Sequence, residues 1–228
     1  MGRVIRYGSV LGIVGVLLYL LGPGLRASRE AARRTHCNKH LKILGLALHN
    51  YSDFYGSLPP AYVADENGKR MHSWRVLILP YLDRADLYAA YRFDEPWDGP
   101  NNSKLADQMP YLFRCPSSVQ RDGMTNYQCV TGPGTAFPGA HSVALSEITD
   151  GVSHTLLVTE VDRRSVHWMQ PKDIPLDKAY QFLQDRAHTG GVHMLLCDGS
   201  VKFLNENVNA MTYRHLLTIR DGHLPGEF

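Results

Sequence analysis

No Cys-x-x-Cys pair occurs among the four cysteines, Cys37, Cys115, Cys129 and Cys197, which argues against a zinc ribbon or a thioredoxin-type motif. No Gly-x-Ser-x-Gly elbow, His-Glu-x-x-His or phosphate-binding loop is present, so the usual hydrolase, metalloprotease and nucleotide-binding signatures are missing. Charge of one sign is not in surplus: the formal net charge is +2, which gives no reason to expect nucleic-acid binding. Internal repeats and low-complexity tracts are absent as well. What remains is an ordinary globular chain of 228 residues, 44% hydrophobic and 20% charged, enough for one or at most two domains. No acid–base or nucleophile constellation can be assembled from spacing. The expectation is therefore a non-enzymatic protein with no cofactor and no metal.

The stretch from Ser9 to Tyr55 organises the rest. Its first part is an apolar run, Ser9 to Leu21, followed by Gly22-Pro23-Gly24. In its second part Cys37, Leu41, Leu44, Leu48, Tyr51 and Tyr55 recur at spacings of four and three, which places them on one helical face. Glu30 stands four residues before Arg34, a weakly supportive helix pair. The reading is one long helix, apolar first and amphipathic second, with Pro23 at the joint.

Tyr7 to Leu25 carries no charge, and its 19 residues make about 28 Å of helix, close to a hydrocarbon core of roughly 30 Å. A cleaved signal peptide or a buried core helix are the rival readings, but no clean Ala-x-Ala cleavage site is present. The favoured reading is an uncleaved single-pass anchor over residues 1–25, with 26–228 as the attached domain. Arg3 and Arg6 flank one end of the span, and Arg26, Arg29, Arg33 and Arg34 the other. That count alone would put the domain in the cytoplasm. The even cysteine number favours the outside, where disulfides are permitted.

The run Arg29 to Tyr51 resembles a large bacterial family of unknown function, the prepilin-type processing-associated H-X9-DG domain (domain of unknown function 1559). Gly56-Ser-Leu-Pro-Pro60, Trp74 to Leu82, Glu95-Pro-Trp-Asp98, Phe113-Arg-Cys-Pro116, Thr125-Asn-Tyr127 and Gly132 to Phe137 resemble it too. So do Ile148 to Thr155, which contains Asp150-Gly151, and the final mark of His188, nine residues, then Asp198-Gly199. The resemblance implies a pilin-like α+β fold, its long N-terminal helix half embedded in the membrane and half packed on an antiparallel sheet. It also implies a loop-rich helical insert over about 62–139, an extracytoplasmic domain at the inner membrane, and pilin-like subunits or secretion components as partners. A disulfide between Cys37 and Cys115 is likewise implied by the family's own cysteines. One position departs from the family: its usual N-terminal glutamate falls on Arg6 in one register and on Ile13 in the other.

Downstream, Gly56 and the following prolines should end the long helix. Ser73 and Asp83 are candidate caps for helices reaching Tyr81 and Tyr91. Leu112 to Cys115, Thr125 to Val130, Thr155 to Val161 and Val166 to Met169 read as strands, and Val208 to Ile219 as a terminal helix. Asp198-Gly199, between Val192 to Cys197 and Ser200 to Leu204, predicts a hairpin with a type I′ turn.

Three groups of residues invite a chemical reading. His188, His193, Cys197 and Asp198 are zinc-compatible types, but local structural roles in the hairpin are favoured. Asp150, Gly151 and Ser153 offer oxygen ligands for calcium, yet without an acidic ladder an Asx-turn is favoured. Trp74, Trp97 and Trp168 are more in keeping with core anchors than with a groove. The expectation is a membrane-anchored structural or interaction protein of pseudopilin-like type. The alternative is a ligand- or partner-binding module that uses the insert from Tyr62 to Gly139.

Overall fold

A computed structural model of the chain describes residues 27–118 and 122–226; of residues 2–26 it gives only their inclusion in the first helix. That helix, α1 (Gly2–Tyr55), ends where the Gly56 N–H donates to the Ser52 carbonyl at 2.8 Å and the prolines begin. Strands follow as β1 (Tyr62–Ala64), β2 (Arg70–Ser73), β3 (Met124–Thr125), β4 (Tyr127–Gln128) and β5 (Val130–Thr131). They continue as β6 (Leu156–Glu160), β7 (Val166–His167), β8 (Ile174–Pro175), β9 (Gly191–Leu196) and β10 (Val201–Asn205). The shorter helices are α2 (Trp74–Leu77), α3 (Ala85–Ala90), α4 (Ala179–Phe182) and α5 (Ala210–Leu217).

The fold is α+β. Its centre is an antiparallel sheet in the order β10-β9-β6-β4. Both β6 and β9 are buried along their whole length, because each face of the sheet is covered. On one face Cys37, Leu41, Leu44 and Leu48 of α1 join Leu157, Leu195 and Cys197 in the larger core. On the other face Leu156, Val192, Met194 and Leu196 meet Tyr213, Leu216 and Leu217 of α5. Alternate side chains of β9 thus serve two cores, which is what a strand buried on both faces requires.

The close approach of α1 to the sheet depends on Gly45. A Cβ there would lie 2.8 Å from Leu195 Cδ1, and the Cα of Gly199 is only 3.7 Å from the same point. The α1 face expected from the sequence is real for Cys37 through Leu48, all fully buried. It ends sooner than its spacing implies. Tyr51 is half-buried beside Tyr81, and Tyr55 is exposed, because the chain has reached the edge of the core.

The insert supplies several large side chains to the core. Trp74, Leu79, Leu87, Phe113, Tyr127 and Phe137 all belong to the larger cluster, as does Trp168, while Trp97 packs on it half-buried. Ser73 caps α2, its Oγ accepting from Arg75 N at 3.3 Å. Asp83 does not cap α3: it adopts φ 57° and closes the 3-10 turn Leu79–Leu82, so α3 starts after Arg84. Tyr111–Phe113 is 3-10 rather than the expected strand, since Pro110 opens it and the Phe113 amide bonds back to the Pro110 carbonyl.

The β9–β10 hairpin forms where expected, but its turn is different. A type I′ turn needs positive φ at two residues. Here Gly199 alone has it, at 81°, and Asp198 does not. The loop is the three residues Cys197 to Gly199, closed by Gly199 N–H to the Leu196 carbonyl and Leu196 N–H to the Ser200 carbonyl. Asp198 turns its carboxylate to the Ser200 N–H at 2.8 Å. Among the described residues no helix is long and apolar enough to cross a membrane. The anchor expected over residues 1–25 lies outside the described residues.

Candidate functional site

Five segments deliver polar side chains to one spot at the edge of the larger core. The first buried turn of α1 supplies Cys37, and Glu30 lies two turns earlier on the same helix. The segment after Phe113 supplies Cys115, whose N–H is fixed by Asn126 Oδ1 at 3.0 Å. The last residue of β6 is Glu160, 1% exposed. The loop entering β9 supplies His188, pinned by a bridge to Gly191, and β9 supplies His193.

His188 is the hub. Its Nδ1 lies 2.6 Å from Glu30 Oε1, while its Nε2 faces Cys115 Sγ and Glu160 Oε1, each at 3.5 Å. Glu160 Oε2 accepts from the His193 backbone N–H at 2.8 Å and pairs with His193 Nδ1 at 2.9 Å. Glu160 Oε1 accepts no hydrogen bond, although it is fully buried. One donor atom from each of Cys37, Cys115, Glu160 and His188 lies within 4.8 Å of every other. Glu30 is held from outside by Arg33, 2.8 Å away, and by the Ser117 hydroxyl.

The charges follow from this geometry. Burial opposes protonation of His188, but Cys115, Glu160 and Glu30 outweigh it and push the imidazole up to about 10. Burial likewise opposes ionisation of Glu160, yet His188 and His193 hold its carboxyl down at about 2. The neighbouring Cys37 thiol lowers the pKa of Cys115, and His188 adds to the effect. Cys37 moves the other way, raised by its bond to Cys115 and by burial. The cluster is thus an imidazolium inside a ring of acidic groups.

His188, expected as a local hairpin brace, is instead the centre of this cluster. Cys37 and Cys115, the pair implied for a disulfide, are brought together and stand as free thiols. Of the other zinc-compatible residues, His193 joins the cluster through Glu160, and Cys197 and Asp198 do not. Asp198 is exposed in the turn, and Cys197 is buried in the core against α1. Asp150 is no cation loop either: its two oxygens accept from the backbone N–H groups of Asp221 and Gly222, at 2.6 and 3.0 Å. Gly151 follows with φ 99°, and Ser153 Oγ sits 3.1 Å from His154 Nδ1. The expected Asx-turn is replaced by a tie between the β6 approach and the end of the chain.

Glu30 and Glu160 were not legible as site residues. Glu30 reads from sequence as a partner for Arg34, and that pair is loose, at 3.9 Å. The one available signal for Glu160 was a carboxylate closing the strand Leu-Leu-Val-Thr-Glu of β6.

The fold and this buried thiol–imidazole–carboxylate cluster define a class of α+β domain whose long helix is polar-bonded to its sheet. Residues 26–182 and 185–211 match the family described as protein of unknown function (DUF1559), and the chain belongs to it. This agrees with the resemblance carried by the H-X9-DG mark. Neither a curated protein nor a solved structure matches the chain.

Proposed function

We propose that this protein is a membrane-anchored, non-enzymatic structural or interaction protein of pseudopilin-like type, serving a secretion or cell-envelope assembly. Its folded domain stands outside the inner membrane, and its partners are pilin-like subunits or secretion components. The observation that carries the reading is the division of α1. From Cys37 to Leu48 one face of the helix is built into the core, whereas from Ala27 to His36 the helix is mostly exposed. This exposed stretch is tied back to the domain by Glu30 and Arg33, through His188 and Ser117, and the uncharged residues 7–25 precede it in sequence. The insert contributes its large aromatics to the core, so the alternative of a binding surface over 62–139 has less support.

The test is the intact mass of the protein recovered from fractionated cells. A full-length mass in the membrane pellet supports a permanent anchor. A mass lacking the first residues and carrying a methyl group supports prepilin-type processing and a fibre subunit. Recovery of the whole chain in the soluble fraction would overturn the anchored reading.

A further inference from the structure

We propose that Cys37, Cys115, Glu160 and His188 form a closed structural site for one zinc ion.

The donor set is right for the metal: two thiolates, one imidazole and one carboxylate are all common zinc ligands. With bonds of about 2.0 to 2.3 Å, a tetrahedral site has donor–donor edges of roughly 3.3 to 3.8 Å. The two edges from His188 Nε2, to Cys115 Sγ and to Glu160 Oε1, both measure 3.5 Å. No donor pair is separated by more than 4.8 Å, so modest side-chain movement closes the tetrahedron.

An independent observation points the same way. Glu160 Oε1 is buried, aimed into the cluster and makes no well-formed hydrogen bond; its nearest donor is His188 Nε2, at a long 3.5 Å. A carboxylate oxygen so poorly satisfied is costly in a core, and a cation between it and the thiols satisfies it. Three of the four ligands are also held from behind. Glu30 fixes His188 through Nδ1, which leaves Nε2 as the coordinating nitrogen, the usual carboxylate–histidine–metal relay. The His193 N–H and ring hold Glu160 by its other oxygen, and Asn126 holds the Cys115 backbone.

All four ligands are buried, which leaves no place for an exchangeable water and marks the site as structural rather than catalytic. A polar cavity of about 500 Å³, lined by residues that include Arg163, Asp185 and Arg186, borders the cluster at His188. On binding, zinc takes the place of the proton on His188 Nε2 and of the thiol protons, which leave to solvent. The four ligands come from α1, the segment after Phe113, β6 and the loop before β9. One ion therefore staples the helix to the sheet at the first buried turn of α1.

The test uses the full chain, purified without added metal and under reducing conditions, then analysed by elemental analysis and native mass spectrometry. One zinc per chain is expected. Cobalt(II) substitution should add thiolate-to-metal charge-transfer absorption and the visible bands of a tetrahedral ion, both lost in Cys37→Ser and Cys115→Ser. His188→Cys, which keeps a zinc-competent donor, should retain the metal, whereas His188→Leu should lower affinity more than about tenfold. A folded, reduced protein that takes up neither zinc nor cobalt overturns the proposal. So does a mass two hydrogens lighter that maps to a Cys37–Cys115 cross-link in protein taken from cells.

Discussion

Two buried ionic clusters border the same core, and they are built on opposite plans. Around Arg75 and Asp173 nearly everything is paired. The Arg75 guanidinium gives to Asp173, to Ser73 Oγ and twice to the Tyr127 carbonyl. Asp173 Oδ1 further accepts from Trp74 Nε1 and from Cys129 N. Around Glu160 and His188, by contrast, a fully buried carboxylate oxygen has only a long 3.5 Å approach from His188 Nε2, and two thiols stand beside it. A saturated pair fixes architecture: it ties α2 to β4 and to the segment entering β8. An unsaturated one leaves room for something else, and the choice of donors indicates a metal.

Mutations that break the saturated cluster should have the largest effect on stability. Asp173→Ala strands a buried guanidinium and should cost about 3 to 5 kcal/mol. Denaturant melts should give the same loss with and without a zinc chelator. Leu44→Glu places an unpaired charge in the larger core and should cost several kcal/mol, on the order of 3 or more. An unchanged melting temperature would refute the packing of α1 described above. Glu160→Gln is a smaller change, about 1 to 3 kcal/mol in chelator, since it loses a charge-assisted pair with His193. Without chelator the gap between wild type and variant should widen, because only the wild type keeps the ion. Tyr55→Ala, at an exposed position, should stay within about 0.5 kcal/mol.

pH separates the clusters in another way. His188 is raised from its ordinary 6.5 to about 10, so its contribution is full below pH 6.5 and fades as pH rises toward 10. Glu160 is lowered from 4.5 to about 2, so its contribution is full above pH 4.5 and is lost as pH falls toward 2. The metal-free protein should therefore show a stability plateau between these limits. Glu160→Gln should flatten its acid side, and melting curves across pH check this.

Local patterns were readable from the sequence; of the distant meetings, the approach of Cys37 to Cys115 was implied by the family resemblance and the rest were not legible. The Cys37-Leu41-Leu44-Leu48 stripe follows from helix geometry alone, and β6 from its β-branched run. The existence of the β9–β10 hairpin was legible, but its turn type was not. A two-residue and a three-residue loop around Asp-Gly differ only in which residue pairs last, and cross-strand contacts decide that. Asp83 looks like a cap because short polar residues suit both a helix start and the left-handed conformation it adopts. The site itself brings Glu30 within reach of His188 across 158 positions of chain. No spacing rule covers such a distance, and the H-X9-DG mark locates only one of the four ligands.

Gly45 has a mechanical consequence. Sliding α1 by one helical turn, about 5.4 Å, would bring the larger Leu41 or His49 to the point where Gly45 faces Leu195 and the β9–β10 turn, and the Leu195 side chain would have to move aside. The helix sits in its domain like a keyed shaft, not a greased one. A force that pulled on the helix would meet the central sheet at this contact.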